Sequence, residues 1–249
     1  MKVTFDASGD VIVITGGANG IGRALALAAA QAGAQVVVCD MDRAAMASLR
    51  AADPRIAVEQ LDISDREAVR HCIGGIEKRH GRIDGMVLGA AIQPRTEAHA
   101  MDADEWLRVM SINLNGVVWC YQAAVAGMIA RRRGAFVTFG SGLAHQGWPK
   151  ASAYAASKAA LIAFAKSAAK EVAAHRVRFN LISPGVIDTP QYRQANAGAD
   201  DASWKGSLGV GGPGDVVGPL MFLLSDAATM TAGMLSRDYA YPADDPAED

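Results

Sequence analysis

"VIVITGGANGIG", residues 11–22, is the stretch that decides the fold. Its first five residues are all β-branched, which suits a short strand buried on both faces, as in a parallel sheet. Thr15, Gly16, Gly20 and Gly22 follow in a T-G-x-x-x-G-x-G pattern, and "IGRALALAAAQAGA" reads as a helix ending near Gly33. Glycines let the backbone turn tightly and approach a pyrophosphate, while the first turn of a helix offers unpaired N–H groups and a positive dipole end. A tight turn with no ligand would use the same residues, so the motif gains its weight from standing at a first strand–helix junction.

Working outward, β-branched runs alternate with alanine-rich helical stretches. Strands are expected at 35–40, 56–62, 85–91, 134–140, 177–183 and near 234–238, and helices at about 42–52, 65–79, 103–131, 152–174 and 214–225. Apolar strands separated by helices predict an α/β fold: one doubly wound Rossmann-type domain over 1–249, with about seven parallel strands and helices on both faces. Within it, about 1–140 forms a dinucleotide-binding part and about 141–249 a catalytic and substrate part. The longest irregular segment runs over 190–214, and its residues 190–212 read as a flexible lid. "YPADDPAED" at the end reads as a solvated tail or a loosely packed terminus.

The totals bound the function. The chain has 249 residues, 51% hydrophobic, with 24 basic and 26 acidic residues and a net charge of −2. No basic block argues for nucleic acid and no basic amphipathic helix for a membrane surface. Cys39, Cys72 and Cys120 lack metal-ligand or redox-pair spacing and read as buried thiols. "MKVTFDASGD" has no apolar signal-peptide core, and no apolar run is expected to reach a membrane span. A soluble, cytoplasmic protein follows as the expectation.

Asp40 ends the second strand about 20 residues past the glycine loop. A carboxylate there accepts from adenosine ribose hydroxyls and repels a 2′-phosphate. Met41 and Asn19 supply no cation for that phosphate, and Arg43 is the nearest one, so NAD is favoured over NADP. The alternative for Asp40 is a helix cap. Asp62 stands equally between capping the next helix and bonding an adenine amino group.

"SAYAASKAAL", residues 152–161, sets Tyr154 and Lys158 four apart among alanines and serines. On a helix these share one face, with Cβ atoms roughly 5–6 Å apart. A free phenol has a pKa of about 10, so only about 0.1% is phenolate at pH 7. A neighbouring ammonium stabilises the phenolate and so makes a usable base. Taken alone, the pair is equally a surface tyrosine beside a solvated lysine. Ser141 reads as a hydroxyl able to orient a substrate oxygen or to cap a turn, and Asn113 as an asparagine inside an apolar helix that needs partners.

Together these pieces resemble the short-chain dehydrogenase/reductase family: "TGGANGIG", Asp40, Asp62, Asn113 in "MSINLNG", Ser141 in "FGSG", Tyr154-x-x-x-Lys158, "SPG" at 183–185 with Thr189, and "GDVVGPLMFLLSD". They run from about residue 10 to 238. The resemblance implies a strand order of 3-2-1-4-5-6-7 and an NAD-dependent enzyme interconverting a secondary alcohol and a ketone. It implies Asn113, Ser141, Tyr154 and Lys158 as the catalytic set, with Asn113 holding a water that links the lysine to solvent. Gly16, Asn19, Gly20, Ile21, Gly22, Asp40, Asp62, Ile63, Ala90, Tyr154, Lys158, Pro184, Gly185, Val186 and Thr189 would surround the cofactor. A homotetramer or homodimer is the implied assembly. The alternatives are an NADPH-dependent ketoreductase and a non-catalytic dinucleotide-binding protein.

Two motifs depart from the family. Its Asn-Asn-Ala-Gly is here Leu88-Gly89-Ala90-Ala91, which implies altered packing at the end of the fourth strand and slight crowding beside the cofactor. Its C-terminal Asp-Gly-Gly is here Asp238-Tyr239-Ala240. Candidate substrate residues lie in "IQPRTEA", "LAHQGWPKA" and the lid. Gln93, Ser141, His145, Trp148 and Tyr154 form the proposed set, with Arg95, Gln191 and Tyr192 on the same segments. This mixture suits a hydroxylated or partly polar secondary alcohol better than a long acyl chain.

Overall fold

The computed structural model describes residues 3–197 and 209–237. Seven strands form one sheet: β1 (Val11–Thr15), β2 (Gln35–Asp40), β3 (Ala57–Gln60), β4 (Gly85–Leu88), β5 (Gly134–Phe139), β6 (Val177–Ser183) and β7 (Met234–Ser236). Their order is β3-β2-β1-β4-β5-β6-β7, and every pairing is parallel. This is the doubly wound architecture that the sequence predicts.

The side-chain alternation of the strands divides the core into two layers. Ile12, Ile14, Val36 and Val38 pack with Leu25 and Ala29 of α1 (Gly20–Gln31), Met46 and Leu49 of α2 (Arg43–Ala52), and Leu220 and Leu223 near the C-terminal end. Val13, Val37 and Met86 face the other way. They meet Val69 and Ile73 of α3 (Arg66–His80) and the long helices that follow β4 and β5. Tyr121, Phe136 and Phe179 centre this second layer, with ring centroids 5.0–5.5 Å apart. Each fully buried aromatic of this kind contributes roughly 1.5–3 kcal/mol from burial.

The helix expected over 103–131 is continuous but not uniform. It comprises α4 (Ala103–Met110), one π turn (Ser111–Gly116) and α5 (Val117–Arg131). A π turn adds a residue to the ring and re-aims the side chains beyond it. Here it carries Asn113 into the interior and sets Gly116 against Ile63, where a Cβ would lie 2.6 Å from Ile63 Cγ1. Contrary to the sequence expectation, the 29 residues Ala103–Arg131 are long and apolar enough to cross a membrane by length and composition. Val109, Val117, Cys120 and Met128 are buried in the domain, so packing against the sheet accounts for that apolarity.

Several boundaries move inward. β4 ends at Leu88 rather than 91: Gly89 N makes the last ladder bond, to Thr15 O (3.1 Å), and the backbone of Ile92 is paired instead with the Asn113 side chain. β3 keeps only 57–60, and Leu61 N turns back to Asp40 O at 3.0 Å. The C-terminal helix splits into a 3₁₀ turn, Pro213–Val216, and a regular helix, Val217–Leu224. The lid segment is not wholly irregular. It starts with α8 (Pro190–Ala195), capped by Thr189, numbering α6 as Leu143–Gln146, α7 as Ser152–Val172 and α9 as Val217–Leu224. At its far end Gly211 pairs with 186–188, through Gly211 N to Val186 O and Asp188 N to Gly211 O, both 2.9 Å. Lid residues 198–208 and the tail from 238, including Asp238-Tyr239-Ala240, lie outside the described residues.

Candidate active site

In a parallel sheet of this order the chain reverses direction between β1 and β4, and a crevice opens at the carboxyl ends of those strands. The glycine loop, Asp40, the loop after β4, Ser141 and Pro184-Gly185 all follow strands on that edge. Gly16 has φ +67°, and a Cβ on it would lie 2.7 Å from Ala90 Cα. A Cβ on Gly22 would lie 2.4 Å from Gly16 O, and one on Gly20 (φ +52°) 3.0 Å from Thr189 Cγ2. The loop is therefore closed tightly on itself and against Ala90 and Thr189. Ile21 and Gly22 stand in the first turn of α1, with Gly20 and Gly22 presenting no side chain there.

Asp40 fastens this loop to β2. Its carboxylate accepts from Ala18 N and from Asp42 N, each at 3.0 Å. It does not cap α2, and that role falls to Asp42, which also accepts from Asn19 Nδ2 at 3.1 Å. Likewise Asp65, not Asp62, caps α3. Asp62 is exposed and accepts from Ser64 N and Oγ, while Ile63 beside it is buried. Arg43, the nearest cation to Asp40 in sequence, is engaged by Gln60 Oε1 at 2.8 Å.

Tyr154 and Lys158 share one face of α7, with Lys158 Nζ 5.7 Å from the Tyr154 ring centroid. The small residues around them explain how. Ala151, Ala153 and Ser157 are buried, so the helix start lies close to the sheet, and Lys158 is only 3% exposed. Its Nζ donates to Phe139 O, at the end of β5, at 3.0 Å. Burial lowers its pKa to about 8. Burial pushes the Tyr154 phenol above its ordinary range, while a hydrogen bond with Ser141 and the charge of Arg95 pull it back. Ser141 Oγ also accepts from Leu143 N at 3.2 Å, so its turn-capping and site-facing roles coexist.

Asn113 is fully buried and its amide is completely employed. Oδ1 accepts from Ile92 N (2.8 Å), and Nδ2 donates to Ile92 O (2.9 Å) and Ser157 Oγ (3.2 Å). Ser157 Oγ in turn donates to Tyr154 O at 2.7 Å. The side chain thus joins the loop after β4 to the first turns of α7.

Pro184-Gly185 follows β6. Gly185 has φ +75°, and a Cβ there would meet Arg237 O at 2.6 Å, so only glycine fits. Thr189 Oγ1 accepts from Tyr192 N (3.1 Å) as the cap of α8. Val186 O is taken by Gly211 N. Among the residues named for substrate, Gln93 is half-buried, whereas His145 and Trp148 are exposed on the loop carrying α6, with Trp148 at 49%.

Two features escape the sequence. The first is Arg95, which stands there only as one polar loop residue among several. In the structure its charge acts directly on Tyr154. The signal for it was an arginine within an otherwise uncharged stretch directly after a buried strand. The second is a thiol pair: Cys39, buried at the end of β2, and Cys72 of α3 act on one another. That interaction and burial raise Cys39, and the interaction lowers Cys72. The two are 33 positions apart, and only the β2–α3 packing brings them together. Burial, with a smaller contribution from Cys72, pushes Cys120 to about 12. Among the described residues no cluster of His, Cys, Asp and Glu suits a metal ion.

A family model described as short chain dehydrogenase matches residues 10–200. The chain is 33% identical over 233 residues to the 3-oxoacyl-[acyl-carrier-protein] reductase FabG of Thermotoga maritima, covering 91% of this chain and 95% of the relative. It is 34% identical over 240 residues to the cis-4-hydroxycyclohexanecarboxylate dehydrogenase of Sinomonas cyclohexanicum, covering 94% and 96%. The solved structure of NAD+-bound xylitol dehydrogenase superimposes with a TM-score of 0.85 at 27% identity, over 92% of this chain and 97% of that one.

Proposed function

The chain belongs to the short-chain dehydrogenase family, and from that premise we propose that it is an NAD-dependent oxidoreductase interconverting a secondary alcohol and a ketone. The observation that carries this reading is the placement of Tyr154. Its phenol meets Ser141 and lies on one helix face with the buried Lys158 ammonium, which is anchored to the sheet edge beside the glycine loop. When bound, the nicotinamide takes the hydride from the carbinol carbon or returns it to the carbonyl. In oxidation, Ser141 holds the substrate oxygen and Tyr154, as phenolate, removes the hydroxyl proton. Lys158 supplies the positive charge that keeps the phenolate populated, and in reduction Tyr154 gives the proton back. Asn113 keeps the surrounding backbone in register, and a water at the π turn would carry the lysine proton outward.

The fit to a dinucleotide rests on the cradle of Gly16, Asn19, Gly20, Ile21 and Gly22, with Ala90, Pro184, Gly185, Val186 and Thr189 toward the nicotinamide end. Asp62 and Ile63 would border the adenine. Asp40 supports NAD over NADP: its carboxylate repels a 2′-phosphate, and Arg43 is occupied by Gln60. The half-buried Gln93 and Arg95 support a small polar substrate, and one relative is named for a hydroxylated carboxylate. Trp106 and Leu107, exposed on α4, offer an apolar surface that a second copy would cover in a homodimer or homotetramer. Three free cysteines agree with a cytoplasmic setting.

The test is a titration with NADH and NADPH followed by nicotinamide fluorescence, combined with the Tyr154→Phe variant. NADH should bind at least about tenfold more tightly, roughly 1.4 kcal/mol. Tyr154→Phe should lose at least about 100-fold in kcat/KM while NADH affinity stays within a factor of about three. Equal or tighter NADPH binding overturns the role of Asp40. Wild-type turnover by Tyr154→Phe overturns the catalytic assignment.

A further inference from the structure

Arg95 sits on the loop after β4, which is fixed on both sides. Ile92 is clamped by Asn113, and Thr96 donates from its N to Lys150 O and from Oγ1 to Glu105 Oε2, both at 3.0 Å. The guanidinium is held from one flank only. Nε donates to Ala195 O (3.2 Å) and Nη2 to Asn196 Oδ1 (3.1 Å), at the end of α8. Nη1 is shielded from solvent and meets no acceptor. Burial depresses the pKa of this group, and the charges acting on it are the phenols of Tyr154 and Tyr192. Among the described residues, no carboxylate forms an ion pair with it.

A half-buried cation with no counter-charge and one shielded, unmet N–H is costly, and structures keep such groups where a ligand completes them. A hydroxyl would meet the orphan N–H but leave the charge unbalanced. A carboxylate supplies both the acceptor and the negative charge, in the planar geometry a guanidinium prefers. We propose that Arg95 receives the carboxylate of the substrate, so that the enzyme acts on small hydroxy acids and the corresponding oxo acids. The proposal rests on the alcohol–ketone reading above. Ser141 and Tyr154 then hold the carbinol oxygen while Arg95 holds the acid, and two fixed points orient the carbinol carbon toward the nicotinamide.

The experiment compares 2-, 3- and 4-oxopentanoate with their methyl esters, which removes the charge and scans the spacing from ketone to acid. Rates with NADH are measured, and binding is read by quenching of bound NADH fluorescence, so a slow substrate still reports. At least one acid should exceed its ester about tenfold or more in kcat/KM or affinity. Arg95→Met should bring that ratio close to one; loss of its charge beside Tyr154 changes acid and ester turnover in common and cancels in the ratio. Arg95→Lys should keep part of the preference. An unchanged acid-to-ester ratio in Arg95→Met, or equal handling of every acid and ester by the wild type, overturns the proposal. If neutral ketones are still reduced in that case, the alcohol–ketone reading survives. If neither NADH nor NADPH binds, both fall.

Discussion

Replacing Lys158 by methionine should change the pH dependence of stability by an amount that follows from its burial. The native pKa is about 8, against 10.5 for the free group, with burial as the cause. Below about pH 8 the native state carries the full cost of a shielded ammonium, and a shift of this size corresponds to about 3 kcal/mol. Between about pH 8 and 10.5 the unfolded chain binds more protons than the native one, so the wild type gains stability as pH rises. By pH 10 the remaining cost is under about 1 kcal/mol. Methionine carries no such cost at any pH, but it leaves Phe139 O without its donor, at about 1–3 kcal/mol. The sign of the difference at pH 7 therefore depends on two opposed terms of similar size. Its change with pH depends on only one. Urea unfolding of the cofactor-free protein, followed by tryptophan fluorescence at pH 7, 8, 9 and 10, isolates that term. Relative to wild type, Lys158→Met should lose about 2–3 kcal/mol of stability between pH 7 and 10. The exposed Lys166→Met control should show no such trend. A flat difference for Lys158→Met would mean that Nζ titrates near its ordinary value, and would refute the claim that burial governs it.

Asn113→Ala leaves the N–H and C=O of Ile92 without partners. At about 1–3 kcal/mol each, and with a buried cavity added, stability in a urea titration should fall by roughly 3–5 kcal/mol. Gly22→Ala forces a Cβ to within 2.4 Å of Gly16 O. The loop must open to admit it, and NADH affinity should drop at least about tenfold with far-ultraviolet circular dichroism unchanged.

The sheet was legible because each strand carries its own signal. "VIVIT" and "QVVVCD" are too apolar for a half-exposed strand, and the alanine-rich stretches between them are too long for loops. Strand ends were less legible. β4 stops at Leu88 and the chain beyond Gly89 leaves the sheet, its Ile92 backbone bonded to the Asn113 side chain, a partner that local sequence does not contain. The same distinction divides the site. Tyr154 and Lys158 were visible because four residues on a helix is a geometric statement. The helix-capping alternatives for Asp40 and Asp62 failed for a local reason: Asp42 and Asp65 stand closer to the helix starts and take the role. The role of Arg95, named from sequence only as one polar loop residue, and the Cys39–Cys72 contact were not legible because both depend on chain segments distant in sequence meeting at one point.

One hydrogen-bonded chain accounts for why the small residues of 152–161 matter beyond packing. Tyr154 O is held by Ser157, Ser157 by Asn113, and Asn113 grips both backbone groups of Ile92, three residues before Arg95. A larger side chain at Ala153 or Ser157 would lift α7 from the sheet and break this chain at its first links. It would also carry Lys158 away from Phe139 O, to which its Nζ donates at 3.0 Å. The acid/base and the two cations flanking it are therefore positioned by one set of contacts rather than three. The π turn belongs to that set, since it is the extra residue that brings Asn113 inward within an otherwise apolar helix. Two shielded positive charges near one phenol are unfavourable for an isolated fold. Both are fastened to backbone carbonyls, Lys158 to Phe139 O at the end of β5 and Arg95 to Ala195 O at the end of α8.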